Sequence, residues 1–316
     1  MKKVAFLDVV HPVLEEGLET LGWTAIDCTI LGKEAILEIL KNVNGIVVRS
    51  RFPMDETFLS DCDDLEFIAR SGAGMENIDV SYCNQSNIAL FNAPEGNSNA
   101  VGEHALGMIL ALFNNITKGD KEIREGIWDR EGNRGVELDG KTVGIIGYGN
   151  NGSAFAKKLR GFDVEVLAYD KFKSGFGNEY VQEVSLSELQ QRANLVSLHV
   201  PQTNQTIGLI SKRFIDQMEQ PFYLLNMARG KIVDIRDLLD GIDRKKVLGA
   251  CLDVLEFEKS SFENMFEGGL DDQPIFKKLL NSPAILLSPH VAGWTVESYY
   301  KLSAVLLDKI EKHYNS

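Results

Sequence analysis

Short apolar runs rich in β-forming residues alternate with amphipathic stretches along nearly the whole chain, and no other feature restricts its fold so tightly. "VAFLD", "GIVVR", "LEFIA" and "IALFN" lie in the first hundred residues, with helical patterns near 12–21, 33–42 and 55–61 between them. A second series follows: "TVGIIG", "VEVLAYD", "ANLVSLHV", "FYLLNMA", "VLGACLDV" and "AILLSPH". Strands joined through helices form parallel sheets with helices on both faces. The expected class is therefore α/β, with two doubly wound parallel-sheet domains.

Between the two series lies "NSNAVGEHALGMILALFNNITKGDKEIREGIWD". Val101, Ala105, Met108 and Leu112 share one helical face, and Leu106, Ile109, Leu110, Phe113 and Ile116 fill much of the rest. A helix apolar almost all round must be buried, in its own chain or against a second copy. Both readings stay open, the second implying a homodimer. In the last stretch, 295–314, Val296, Tyr299, Leu302, Leu306 and Ile310 recur at helical spacing. It is too short to fold alone and is expected to return to the first domain. The domains are thus expected over 1–99 with 291–316, and over 100–290. His290 would sit at the second crossing, in the cleft between them.

The chain has 316 residues, 44% of them hydrophobic, enough for about two cores. A formal net charge of −13 argues against nucleic acid or an anionic membrane as a partner, although a local arginine cluster could still bind a small anionic substrate. The cysteines Cys28, Cys62, Cys83 and Cys251 lack metal-type or redox-type spacing, which fits free thiols in a reducing cytoplasm. Asp8 and Pro12 interrupt the apolar start, so residues 3–8 read as a buried strand and not as a signal peptide. A cytoplasmic protein is expected.

"KTVGIIGYGNNGSAFAKKL" carries the most local information. A strand enters Gly147-Tyr148-Gly149-Asn150-Asn151-Gly152, and a helix follows at once. Gly147 permits the tight turn, Gly149 lets a pyrophosphate approach the backbone, and Gly152 lets helix and strand pack closely. The helix N-terminus offers unpaired N–H groups to the phosphates. The glycine pattern alone is weak, but the next strand ends in Asp170, close to the ~20-residue separation such sites show. A carboxylate there accepts from both ribose hydroxyls and repels a 2′-phosphate, which favours NAD. Lys171 and Lys173 keep NADP open, and Asp170 could be only a solvated strand end.

Three more residues follow strand ends, where open parallel sheets gather ligands. They are Arg229 in "NMARGK", Glu258 in "LDVLEFE" and His290 in "SPHVAG". Each alone could be a turn cation, one acid among several, or a turn histidine. Together they suit hydride transfer between a hydroxy acid and a nicotinamide. Histidine exchanges the hydroxyl proton near neutral pH, a carboxylate fixes its tautomer, and an arginine fork grips the substrate carboxylate.

The segments "RSGAGMENID", "NAPEGNSNAVGEHALGMILAL", "GKTVGIIGYGNNG", "LHVPQTNQTIGLIS", "NMARGKIVD", "LDVLEFE" and "SPHVAGWT" resemble the D-isomer-specific 2-hydroxyacid dehydrogenase family over about residues 45–300. The resemblance implies a Rossmann NAD-binding domain beside a discontinuous flavodoxin-like substrate domain. It implies that Arg229 binds the substrate carboxylate, Glu258 pairs with the histidine, and His290 is the acid/base. Asp253 would hold the nicotinamide carboxamide, and the backbone at Ala73–Gly74 would bind the substrate carboxylate. His199, Val200, Pro201 and Thr206 of "LHVPQTNQT" would line the cofactor cleft. Lys259 stands where the family usually has proline, and the stretch from Glu258 to His290 is longer than in many relatives, so Glu256 is the alternative partner. Glutamate here argues against the formate dehydrogenase branch.

"VVRSRFPMD" resembles the phosphoglycerate dehydrogenase branch, whose arginines at this turn bind the substrate phosphate. Arg49, Ser50 and Arg51 would supply two guanidiniums and a hydroxyl to a second anionic group. The alternative pairs Arg49 or Arg51 with Asp55 or Glu56. The expected substrate is 3-phosphoglycerate, ahead of glycerate, glyoxylate or lactate-type acids. The regulatory domain of longer relatives is expected to be absent. A non-catalytic NAD(H) sensor on the same fold is the competing class.

Overall fold

A computed structural model describes residues 2–258 and 273–315 of the chain. The chain divides into two compact units, Met1–Asn97 with Trp294–Ser316, and a second spanning Ser98 to Gly293. The divisions fall a few residues from the expected ones, before residue 98 and after residue 293.

The first unit runs β1 (Lys3–Phe6), α1 (Pro12–Thr20), β2 (Thr24–Asp27), α2 (Lys33–Leu40), β3 (Gly45–Val48), α3 (Glu56–Leu59), β4 (Phe67–Arg70), α4 (Val80–Gln85) and β5 (Ala89–Asn92). These strands pair in parallel in the order β2-β1-β3-β4-β5, the flavodoxin-like arrangement. Every residue of β3 is buried, as its Gly-Ile-Val-Val run demands of a central strand. The helices start where polar side chains meet their free N–H groups. Asp55 accepts from Phe58 N and Asp79 from Tyr82 N, while His11 Nδ1 accepts from Val13 N ahead of Pro12.

The division falls inside α5 (Pro94–Phe113), after which come α6 (Ile116–Arg124), β6 (Thr142–Ile146), α7 (Asn150–Lys158), β7 (Glu165–Tyr169), β8 (Gln182–Glu183), α8 (Leu186–Arg192) and β9 (Leu195–Leu198). Then follow α9 (Lys212–Gln217), β10 (Phe222–Asn226), α10 (Ile235–Asp243), β11 (Val247–Leu252), α11 (Pro274–Leu280) and β12 (Ile285–Leu287). Their order, β12-β11-β10-β9-β6-β7-β8, is all parallel and reverses direction at β6, the Rossmann switch point. Ile235, Leu238 and Leu239 turn one face of α10 into a core that includes Phe222 and Phe276.

The connecting helix departs from the expectation of burial all round. Val101, Ala105, Met108, Ile109 and Phe113 are buried, but Leu106, Leu110 and Leu112 are only partly so. Asn115, in the left-handed region at φ 52°, ends the run, and Ile116 beyond it is 57% exposed. Helix α12 (Val296–Asn315) lies in the first unit, with Leu302, Leu306 and Ile310 in a core with Leu14, Leu18 and Phe67. Its close approach requires Gly96, where a Cβ would stand 2.8 Å from Leu302 Cα. Val296, expected on the buried face, is instead 86% exposed. Thr295 and Ser298 explain this: each backbone N–H donates to the other's side-chain oxygen, a reciprocal cap that puts Ser298 at the head of the buried stripe. Among the described residues no helix is long and apolar enough to cross a membrane.

Candidate active site

The glycine loop stands at the switch point of the second unit. Gly147 has φ +95°, and a Cβ there would come within 2.8 Å of the His199 carbonyl group. Gly152 is excluded from any larger residue, since its Cβ would lie 2.0 Å from Gly147 O. Around Gly149, among the described residues, no atom beyond its two chain neighbours lies within 4 Å of that position, so its backbone faces open space. The first and third glycines are thus fixed by the chain itself, and the second leaves an approach for a ligand.

The surroundings suit a dinucleotide. Asp170 Oδ2 accepts from Tyr148 N at 2.8 Å, and its Oδ1 accepts from Phe172 N and Lys173 N, at 2.9 and 3.0 Å. This holds the carboxylate beside the loop, with remaining lone pairs for ribose hydroxyls. Lys171 Nζ donates to Gln205, and Lys173 Nζ reaches Tyr148 O at 3.5 Å. Asn150 and Asn151 open α7, and the buried Asn151 Oδ1 has no partner among the described residues. Beside them, β9 delivers His199, Val200 and Pro201, and Thr206 folds back to donate to Pro201 O at 2.7 Å. Part of His199 is reachable by solvent, but its Nδ1 is buried without a partner among the described residues, while Nε2 meets Ser197 Oγ at 2.8 Å. Burial pushes this imidazole down to about 3, so the ring is neutral.

At the ends of β10, β11 and β12, the trio expected from sequence is distributed as follows. Arg229 follows β10 in a turn held by the fully buried Asn226, which receives Ala228 N and donates to Arg229 O. Arg229 itself donates to Ala228 O at 2.7 Å. Gly230 brings this turn against the end of β11, where a Cβ would stand 1.8 Å from Leu255 O. Glu258 Oε2 lies 2.7 Å from His290 Nδ1, and its other oxygen accepts from Leu255 N. An ionised carboxylate only accepts, so Nδ1 carries the proton and Nε2 is the nitrogen that can exchange one. Glu256 turns elsewhere, its Oε2 accepting from Ile235 N at 3.4 Å. The carboxylate beside His290 is therefore that of Glu258.

Asp253, 2% exposed, organises the His290 turn. Its Oδ1 accepts from Ser288 Oγ at 2.6 Å and Val291 N at 2.9 Å, and its Oδ2 accepts from Ala292 N at 2.9 Å. Its backbone O accepts from His290 N at 2.8 Å. Burial pushes this carboxyl up, but hydrogen bonds from His104, Ser288, Ala292 and Val291 outweigh it and hold the group below the ordinary carboxylate range. His104 and Ser288 are absent from the sequence reading. The available signal was a lone histidine between Val101 and Met108, on the face of α5 that is otherwise apolar.

In the first unit, the switch point between β1 and β3 is occupied from within. Asp8 Oδ2 accepts from the backbone N of Arg49, Ser50 and Arg51 at 2.6, 3.1 and 3.3 Å. Arg51, expected to face a substrate anion, instead donates to the carbonyls of Leu7, Cys28, Thr29 and Leu31. Loop carbonyls after β1 and β2 converge on this guanidinium, and neither Asp55 nor Glu56 receives it. Arg49 differs. Its guanidinium stacks on the Trp294 ring at 4.1 Å and makes no hydrogen bond among the described residues. Ala73 lies in the turn after β4, its carbonyl accepting from Asn92 Nδ2 at 2.7 Å, and Gly74 follows it half-buried.

Residues 106–292 match the model of the D-isomer specific 2-hydroxyacid dehydrogenase NAD-binding domain. The chain belongs to that family. Its relatives include a D-3-phosphoglycerate dehydrogenase of Archaeoglobus fulgidus, 32% identical over 96% of this chain. The chain spans only 56% of that relative's length. A hydroxypyruvate reductase of Thermotoga maritima is also 32% identical, over 89% of this chain and 88% of its own. Among solved structures, a D-lactate dehydrogenase from Aquifex aeolicus, complexed with NAD and lactic acid, superposes with a TM-score of 0.82. It is 26% identical, and the match covers 99% of this chain and 96% of that one. The second unit is thus an NAD-binding domain, and the glycine loop with Asp170 fits that cofactor.

Proposed function

We propose that this protein interconverts a D-2-hydroxy acid and its 2-oxo acid, with 3-phosphoglycerate as the preferred substrate. The observation that carries the reading is the 2.7 Å contact between His290 Nδ1 and Glu258 Oε2, at the same carboxyl edge of the sheet as the glycine loop. In the oxidative direction, His290 Nε2 takes the hydroxyl proton as the substrate C–H bond breaks with its electron pair. NAD, when bound, supplies the acceptor of that hydride. Glu258 stabilises the imidazolium so formed and keeps Nδ1 protonated throughout. Arg229 holds the substrate carboxylate and polarises the reacting oxygen. Asp253 would hold the carboxamide end of bound NAD, and the Ala73–Gly74 backbone is the contact proposed for the substrate carboxylate from the first unit.

Arg49 is the proposed contact for the substrate phosphate, because its donors are unengaged and Trp294 preorganises it. A second reading, a small unphosphorylated acid such as glyoxylate or hydroxypyruvate, is favoured by Asp8. Its carboxylate fills the cluster of N–H groups that a phosphate would otherwise use. A panel of 2-oxo acids assayed with NADH and NADPH separates the two, and binding of NADH without turnover of any acid would favour the sensor. We also infer a homodimer through α6 and the segment after it, where Ile116, Ile123, Ile127 and Trp128 are exposed. A monomer by light scattering would exclude it.

A further inference from the structure

His104 projects from α5 and takes no part in the Glu258–His290 pair, yet it reaches the same turn. Its Nε2 lies 3.0 Å from Ser288 Oγ and 3.5 Å from Asp253 Oδ1. The direction of these bonds follows from proton supply. Ser288 has one hydroxyl proton, and Asp253 Oδ1, at 2.6 Å, is a charged acceptor. The Met108 thioether, at 3.4 Å, is a weak competitor for it. With its proton on Asp253, Ser288 Oγ accepts from His104, whose Nε2 must carry hydrogen.

Both flanks of His290 are tied to this cluster. Ser288 lies before it, and Val291 and Ala292 after it donate to the Asp253 carboxylate. His290 adopts φ +54°, a left-handed conformation that a non-glycine residue disfavours. A turn held there against its own preference requires fixed partners on both sides.

We propose that His104 is a positioning residue for His290, acting through Ser288 and Asp253 to hold the imidazole against Glu258. Its effect on turnover rests on the acid/base role proposed for His290, but its effect on the geometry does not.

The test uses His104→Phe, which keeps ring bulk without the N–H, and His104→Gln, which restores a donor at similar reach. With five histidines, ring-labelled protein gives a short NMR spectrum in which His290 is the signal lost from His290→Gln. In His104→Phe, the His290 signal shifts and its Nδ1 proton exchanges into water, and His104→Gln returns both toward the parent. With an acid the parent turns over, kcat in the Phe variant falls on the order of tenfold while KM for NADH holds, and Gln recovers the rate. Ser288→Ala, which cuts the link while leaving the sequence of α5 intact, displaces the same signal. An unmoved His290 signal in the Phe or Ala variant overturns the proposal, and so does a Gln variant no better than Phe. A His290 signal that shifts in His104→Phe, with a parent that turns over no acid, would uphold the positioning and sink the catalytic reading.

Discussion

Glu258 and His290 follow adjacent parallel strands, β11 and β12, and meet at 2.7 Å. Glu258→Gln keeps the shape but removes the charge that stabilises an imidazolium. Turnover should fall by about 10–100-fold with NADH affinity preserved, whereas Glu256→Gln should leave kcat near parental. Steady-state kinetics on both variants checks this, and equal losses would displace Glu258 from its assigned role.

The two arginines of the first unit should separate cleanly. Arg51→Ala leaves four carbonyl groups without their shared donor and should cost about 3 kcal/mol of stability. Arg49→Ala should leave the denaturation midpoint unchanged and raise KM selectively for phosphorylated acids. Equal KM increases on phosphorylated and unphosphorylated acids would remove the phosphate argument.

Gly149 and Gly152 make a second contrast. A methyl at Gly152 collides with Gly147 O, whereas at Gly149 it meets no protein atom. Gly149→Ala should therefore melt like the parent but bind NADH more weakly, and Gly152→Ala should lose both stability and binding. Fluorescence titration beside thermal melting reads the difference, and unimpaired NADH binding by Gly149→Ala would count against the loop as the phosphate cradle.

His199 sets an acid limit on stability. Its folded value is pushed down to about 3 from an ordinary 6.5, so the unfolded chain takes up a proton that the folded ring refuses. Stability should be unaffected by this group above 6.5 and decline as pH falls from there toward 3. His199→Asn should show a shallower decline across that window in urea midpoints, and matching slopes would refute the assignment.

Much of the site was legible because the residues at parallel strand ends can be read from apolar runs alone. Gly147, Gly152 and Asp170 are set by neighbours a single strand or helix away. Arg51 was not legible, because its partners are carbonyls of two other loops and no local pattern reports where they point. Strand β2 escaped because it is an edge strand with Thr24 and Asp27 exposed, which blurs the alternation. Val296 was misplaced because side-chain caps, and not hydrophobic spacing, decide where a helix begins to face its core. Glu258 could be told from Glu256 only once both bonds were seen, since two acids so close share every sequence argument.

The layer beneath the first sheet is built from both extremities of the sequence, with Leu14 and Leu18 on one side and Leu302, Leu306 and Ile310 on the other. That layer closes only when segments far apart in sequence meet, so a cut between α5 and α12 would leave Leu14, Leu18 and Phe67 without their apolar partners. Pairing so distant is slow to form, whereas the second unit is drawn almost wholly from one continuous stretch and should assemble first.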